Sequence, residues 1–197
     1  AYLASISFVD SCVGLVIDAL RASPHAKNTY VVLWRDQGFH LGEKKHWAKR
    51  TLWEESTRVP LLISGPDISP DTSCEQSVSL IDIYPTLIDL CGLPENKKLE
   101  GVSLVPQLED SKTVRDKPAI TSSYFGNHAV RSQFWRLIAY EDGAEELYDH
   151  RSDPNEFHNL ADDPRHKSIK NKLRQWLPKS EEPEFRKKSE REKRLKD

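Results

Sequence analysis

The apolar positions in residues 1–22 recur at steps of three and four, as they do along one face of a helix. These positions are Leu3, Ile6, Val9, Val13, Val16, Ile17 and Leu20. The run TYVVLW at 29–34 then predicts a strand that is apolar on both faces, and VPLLISG at 59–65 predicts a second one. Buried strands that follow helices are typical of an α/β sheet covered by helices.

From Lys117 onward the pattern changes to short segments with strand-like alternation. The segments are PAITSSY, HAVRSQF, WRLIAYE and EELYDH. Gly126-Asn127 and Asp142-Gly143 separate successive segments and are hairpin turn signals, so we expect an antiparallel sheet. Apolar residues at helical spacing predict a helix from about His166 to Leu177.

These patterns predict an α/β fold class in which an α/β part is followed by a small α+β part with an antiparallel sheet and a C-terminal helix. The predicted domains are residues 1–112 and residues 113–178. Residues 179–197 are almost all charged and are predicted to be a disordered tail.

Composition excludes several classes of function. The net charge is −2 and both signs are mixed along the chain, so no basic surface for nucleic acid is expected. Ser, Asp and Gly interrupt the first apolar run, so no membrane span is predicted. Three widely spaced cysteines predict neither a disulfide framework nor a zinc site. The chain starts with Ala and contains no Met, so we interpret it as part of a longer protein.

The segment after the first predicted strand carries the candidate chemistry. Asp36 and Gln37 offer hard oxygen ligands of the kind that Ca²⁺ or Mg²⁺ prefers, and Gly38 lets the backbone turn away. Lys49 lies between two tryptophans and could hold an anion, and His40 could transfer a proton. An aspartate after a strand also forms turns, and loop lysines and histidines are often only solvated, so the residues alone leave both interpretations open.

Longer motifs favour one interpretation. The run DQGFHLGEKKHWAKRTLWEESTRVPLLISGP resembles the second metal-binding segment of the sulfatases, and within them the iduronate-2-sulfatase-like group. The resemblance continues, in the order that the family shows, through SLIDIYPTLIDLCGLP, LEGVSLVPQL and AVRSQFWRLIAYEDGAEELYDHRSDPNEFHNLAD. It covers nearly all of the chain except the charged tail.

The resemblance implies a role for individual residues. Asp36 matches the metal-binding aspartate, and Gln37 stands where the family usually has His or Asn, so a Ca²⁺ ion is implied as the cofactor. Lys49 matches the lysine that contacts the sulfate ester, and His40 is implied on the substrate side. His128 and Arg131 are implied at the substrate mouth.

The resemblance also implies parts that this chain does not contain. Sulfatases use a formylglycine made in a C/S-x-P-x-R motif, and no cysteine or serine of this chain starts that motif. We therefore expect the nucleophile and the remaining metal ligands in a missing N-terminal half, and we expect the fragment alone to be inactive. The implied substrate is a sulfated carbohydrate, and the implied location is periplasmic, extracellular or lysosomal.

Two alternatives remain open at this point. The same metal-supported fold serves phosphate and phosphonate ester hydrolases of the alkaline phosphatase superfamily. A degenerate paralogue without catalysis is the second alternative, because a Gln at position 37 would then mark a lost metal.

Overall fold

The computed structural model describes residues 1–181. Residues 182–197 of the predicted disordered tail lie outside the described residues. The helices and strands in chain order are α1 Tyr2–Arg21, β1 Val31–Trp34, β2 His40–Leu41, β3 Trp47–Ala48, α2 Glu54–Thr57, β4 Leu61–Ser64, α3 Ile83–Leu90, α4 Val105–Glu109, β5 Ala119–Ser122, β6 His128–Arg131, β7 Trp135–Ala139, β8 Glu145–Asp149 and α5 Lys167–Arg174.

The chain forms two compact units. The first combines Ala1–Arg35 with Pro60–Thr72, and the second combines Asp36–Val59 with the chain from Ser73 onward. The segment that carries Asp36, His40 and Lys49 therefore belongs to the same unit as the antiparallel sheet.

The first unit consists of α1 and one pair of strands. β1 and β4 pair antiparallel, with Val31 opposite Ser64 and Trp34 opposite Leu61. The apolar pattern predicted that both strands would be fully buried, but Leu33, Trp34 and Leu62 are exposed. The reason is that this sheet has only two strands among residues 1–181, so little covers its faces.

The helix α1 is apolar but exposed, and none of its residues is buried. The interruptions by Ser, Asp and Gly predicted no membrane span in this segment. The helix that forms is nevertheless long and apolar enough to cross a membrane, judged by length and composition alone. Core helices of globular proteins and signal sequences meet the same two criteria.

The second unit is built around the predicted antiparallel sheet. Its strand order is β5-β6-β7-β8, and every neighbouring pair is antiparallel, as the hairpin signals predicted. The predicted C-terminal helix is α5, which a short 3₁₀ turn at Pro164–His166 precedes.

Each face of this sheet buries a different cluster, because successive side chains of a strand point to opposite faces. One face packs against α5, and its buried cluster is Val130, Leu137, Leu147, Ala161 and Leu173. The other face packs against the segment before α2, and its buried cluster is Leu52, Ala129, Ile138 and Tyr148. The candidate site segment is thus attached to the second face through Leu52.

Candidate functional site

The loop between Asp36 and α2 is a short hairpin with an unusual backbone. β2 and β3 pair antiparallel, with His40 opposite Ala48. Four residues of this loop that are not glycine have positive φ angles, namely Lys44 (52°), Lys45 (59°), Ala48 (82°) and Arg50 (76°). Such conformations cost roughly 1–3 kcal/mol each and cluster at functional sites. Ala48 and Arg50 are the two neighbours of Lys49, so the strain is concentrated at the candidate lysine.

Asp36 and Gln37 lie at the start of the loop with uncommitted side chains. Asp36 is exposed and Gln37 is half-buried, and neither side chain forms a hydrogen bond or ion pair with another described residue. The next residue, Gly38, donates its backbone N–H to Ser56 O at 2.8 Å. A Cβ atom at Gly38 would lie 1.8 Å from Glu55 O, so only glycine allows this approach to α2.

Lys49 is also exposed and uncommitted. Within residues 1–181 its ammonium forms no hydrogen bond or ion pair. Its backbone carbonyl lies 3.5 Å from His46 Nε2. Free oxygen ligands and a free cation at the two ends of one loop are the groups that an anionic ester and a divalent cation require.

His40 is fully buried, with 0% of its surface exposed. Its Nε2 lies 2.8 Å from Thr51 Oγ1, which in turn donates to Ser56 Oγ at 2.9 Å. The other ring nitrogen, Nδ1, has no hydrogen bond with the described residues. Burial lowers the pKa of His40, and the neighbouring His46 lowers it further, so the ring is neutral at pH 7.

His128 and Arg131 lie on β6, and both side chains are engaged. His128 Nδ1 lies 2.8 Å from Ser122 Oγ, and its Nε2 pairs with the carboxylate of Glu181. Arg131 Nε lies 3.2 Å from Glu54 Oε2. Within residues 1–181, the side chains of Asp36, Gln37 and Lys49 therefore have no hydrogen-bond or ion-pair partner. The side chains of His40, His128 and Arg131 are engaged by neighbours.

A buried charge cluster, formed by Glu54, Arg131, Arg136, His150 and Glu156, was not found from the sequence. Arg136 forms ion pairs with both glutamates of the cluster. Its Nε lies 2.6 Å from Glu156 Oε1, but the Nε–H group does not point along this line, so the contact is an ion pair without a hydrogen bond. His150 Nε2 lies 2.9 Å from Glu156 Oε1, and Arg131 Nη2 lies 3.1 Å from His150 Nδ1. The two carboxylates are thus paired with two guanidinium groups, and the imidazole of His150 lies between Arg131 and Glu156.

One signal in the sequence indicates this cluster. Arg131 and Arg136 are opposite each other on β6 and β7, in the same alternating phase as the buried Ile138. Two like charges opposite each other on a buried face require acidic partners. Which acidic residues supply them depends on contacts between distant segments, and periodicity does not reveal that.

The charges in the cluster outweigh the effect of burial. Burial by itself raises the pKa of Glu54, but the positive charges of Arg136 and Arg131 lower it from 4.5 to about 2. Burial likewise raises the pKa of Glu156, and the hydrogen bond from His150 and the charge of Arg136 lower it below its usual range. Glu54, His150 and Glu156 place ligand atoms within 4.8 Å of one another, a spacing that suits a cation. The guanidinium groups already neutralise both carboxylates, which favours an ion-pair cluster over a metal site.

The loop has a second attachment at Lys44. Its ammonium lies 4.5 Å from the centre of the Trp53 ring and 4.7 Å from that of Tyr148. It also donates to Tyr148 Oη at 3.0 Å and to the backbone carbonyl of Glu156. Trp53 Nε1 in turn donates to Glu146 Oε2 at 2.6 Å. The tip of the hairpin at Lys44 and the last residue before α2, Trp53, are therefore both fastened to the sheet.

A comparison with protein families identifies most of the chain. The family model described as N-sulphoglucosamine sulphohydrolase, C-terminal, matches residues 42–183. Among curated proteins, a sulfatase from Formosa agariphila is 46% identical over 180 residues, which cover 91% of this chain and 36% of that protein. The chain therefore spans about a third of the length of the curated relatives that it matches.

Solved structures with the same fold include proteins of two kinds. A protein solved in complex with its substrate D-glucosamine-2-N,6-O-disulfate is 30% identical, with a TM-score of 0.74, and the match covers 89% of this chain and 38% of that one. A phosphonate monoester hydrolase from Silicibacter pomeroyi is 25% identical, with a TM-score of 0.71, and the match covers 85% of this chain and 37% of that one.

Proposed function

The chain belongs to the sulfatase family, since the model of the N-sulphoglucosamine sulphohydrolase C-terminal region matches residues 42–183, and we propose that it is the C-terminal part of a sulfuric ester hydrolase. We further propose a sulfated carbohydrate as the substrate, because one similar structure holds D-glucosamine-2-N,6-O-disulfate as its substrate. The observation that carries the proposal is the strained loop that presents Lys49 at one end and Asp36 and Gln37 at the other. None of these three side chains forms a hydrogen bond or ion pair with another residue of the described part of the chain.

The side-chain oxygens of Asp36 and Gln37, at the start of the loop, are ligands that suit a divalent cation. Asp36 and Gln37 would hold Ca²⁺ together with ligands from the part of the protein that this chain does not contain, since calcium takes about 6–8 oxygens. A bound cation of this kind stabilises negative charge on the oxygens of an ester anion. The formylglycine nucleophile would also lie in that other part, because this chain has no C/S-x-P-x-R motif.

Lys49 would place its ammonium against the sulfate oxygens and offset the charge that develops during cleavage. The buried His40 is better placed to order the loop through Thr51 than to touch the substrate. For His128 and Arg131 to bind substrate, each would have to exchange a present partner, Glu181 or Glu54, for the ligand.

We propose that α1 is a core helix of the complete protein rather than a membrane span. Its exposed apolar side chains would pack against the remaining part, since the match to the Formosa agariphila sulfatase covers only 36% of that protein. Nucleic acid is not proposed as a partner, because the chain has a net charge of −2.

A parallel assay of the full-length protein tests the proposal. We expect release of inorganic sulfate from a sulfated glucosamine to exceed hydrolysis of a matched phosphate or phosphonate ester. Preferential phosphonate hydrolysis would instead support the second candidate, which the similarity to the Silicibacter pomeroyi enzyme favours. Absence of any ester hydrolysis in a folded, calcium-loaded protein would point to a non-catalytic relative.

A further inference from the structure

We propose that Glu54 is a positioning residue, which holds the strained loop in the conformation that presents Lys49 to the substrate. The role rests on the proposed function, since it acts through Lys49. Glu54 itself is 9% exposed and lies five positions after Lys49 along the chain, so it reaches the reaction only through the backbone.

Glu54 fastens α2 to the sheet with both its side chain and its backbone. Its carboxylate ion-pairs with Arg136, which is 2% exposed, and with Arg131 on the neighbouring strand. Its backbone N–H donates to Glu156 Oε2 at 2.8 Å. Arg136 Nη1 also donates to Leu52 O at 3.0 Å, so the residues on both sides of Trp53 are held by the same strand, β7.

From α2, two further bonds reach the ends of the loop. Ser56 O accepts from the N–H of Gly38, which adjoins the proposed metal ligands Asp36 and Gln37. Ser56 Oγ accepts from Thr51 Oγ1, which binds the buried His40 and follows Lys49 by two positions. A shift of α2 would therefore move the metal-binding end and the lysine end of the loop together.

The strained backbone makes such an anchor necessary. Ala48 and Arg50 hold positive φ angles on either side of Lys49, and conformations of this kind persist only where the surrounding structure imposes them. Lys44 fixes the outgoing limb of the hairpin through Trp53 and Tyr148, but it precedes both strained neighbours of Lys49. The return limb from Lys49 to α2 is held by Glu54 and its partners, by the buried Leu52, and by Arg50, whose Nη1 donates to Tyr124 Oη at 3.4 Å. Among these, the Glu54 carboxylate makes the only ion pairs that the described residues show for this limb.

The test compares two variants of the full-length protein. Glu54→Gln keeps the shape of the side chain and removes its charge. Glu55→Gln is the control, because the Glu55 side chain is exposed. We expect Glu54→Gln to lower kcat for sulfate release at least about tenfold, since small misplacements of a catalytic group have large effects. Combined with Lys49→Ala, it should add a clearly smaller loss than it causes alone, because most of its effect passes through Lys49. An equal loss of kcat with and without Lys49 would overturn the proposal.

Hydrogen exchange gives a second readout that needs no activity. In Glu54→Gln we expect amides of residues 44–52 to exchange at least about tenfold faster, while amides of β7, β8 and α5 keep their rates. Uniformly faster exchange, or no change in the loop, would contradict a positioning role. If the wild-type protein releases no sulfate, the proposed function fails, and the exchange data still decide whether Glu54 holds the loop. Should Glu54→Gln not fold, Glu54→Asp takes its place, with the same direction and a smaller effect.

Discussion

Lys44 and Trp53 are joined by a cation–π contact in which the ammonium nitrogen lies 4.5 Å from the centre of the indole ring. The same ammonium donates to Tyr148 Oη at 3.0 Å. The contact therefore links the first limb of the candidate loop to its last residue before α2 and to β8.

Replacing Lys44 by Met should lower the free energy of unfolding of the full-length protein by about 1–2 kcal/mol, because the cation–π contacts and a hydrogen bond are lost. Lys45→Met is the matched control, since Lys45 also has a positive φ angle but is exposed. Denaturant titration of both variants measures the effect. Equal losses in the two variants would show that the aromatic contacts of Lys44 contribute nothing.

The low pKa of Glu54 predicts how stability depends on pH. The pKa is about 2 in the folded state against 4.5 for an unperturbed carboxyl, so the folded state favours the ionised form. Its contribution, about 3 kcal/mol at most, is fully present above pH 4.5 and is lost as the pH falls toward 2. Denaturant titrations at pH values between 5 and 2.5 should show a smaller loss of stability for Glu54→Gln than for wild type. Parallel curves for the two proteins would contradict the assignment.

Gly38 should not tolerate a side chain. A Cβ atom there would lie 1.8 Å from Glu55 O, so Gly38→Ala must displace either the Asp36 end of the loop or α2. We expect a loss of stability of at least about 1–3 kcal/mol, the range typical of overpacking, because the clash is with backbone. Gly14→Ala is the control, because no atom lies within 4 Å of a Cβ atom in α1, and it should stabilise the helix by about 0.5–1 kcal/mol.

Lys49→Ala should lower the turnover of a sulfate ester by the full-length protein at least about 10²-fold, with the melting temperature nearly unchanged. The reason is that the side chain is exposed and its ammonium forms no hydrogen bond or ion pair with other described residues, so its loss removes charge stabilisation and little packing. Steady-state kinetics measure this, with Lys45→Ala as the control in the same loop. Near-normal turnover would remove Lys49 from the site.

Calcium should stabilise the full-length protein by mass action, with a melting temperature that rises as the free ion concentration exceeds the dissociation constant. Asp36→Asn should weaken this response, because one carboxylate charge is lost from the ligands. Thermal unfolding over a calcium titration measures both proteins. A wild-type protein without any response would indicate that a Gln at position 37 marks a lost site.

Local pattern was sufficient for most elements. Alternation and the Gly126-Asn127 and Asp142-Gly143 signals predicted the four-stranded sheet, and helical spacing predicted α1 and α5, because these elements form through contacts between near neighbours. The burial of β1 and β4 was predicted wrongly, since burial depends on what covers a strand and not on its own composition. The roles of the six predicted site residues stay predictions.

The sequence by itself determined which residues can supply the chemistry: hard oxygens at Asp36 and Gln37, a cation at Lys49, and the glycine that lets the chain turn between them and α2. Only the tertiary structure decided which of the charged side chains are free and which are committed. Arg131 resembles a substrate ligand in the sequence, yet it is paired with Glu54, from a distant segment. The physical reason is that such ion pairs form between residues far apart in the sequence. A short stretch of sequence does not show how close two such residues come after folding.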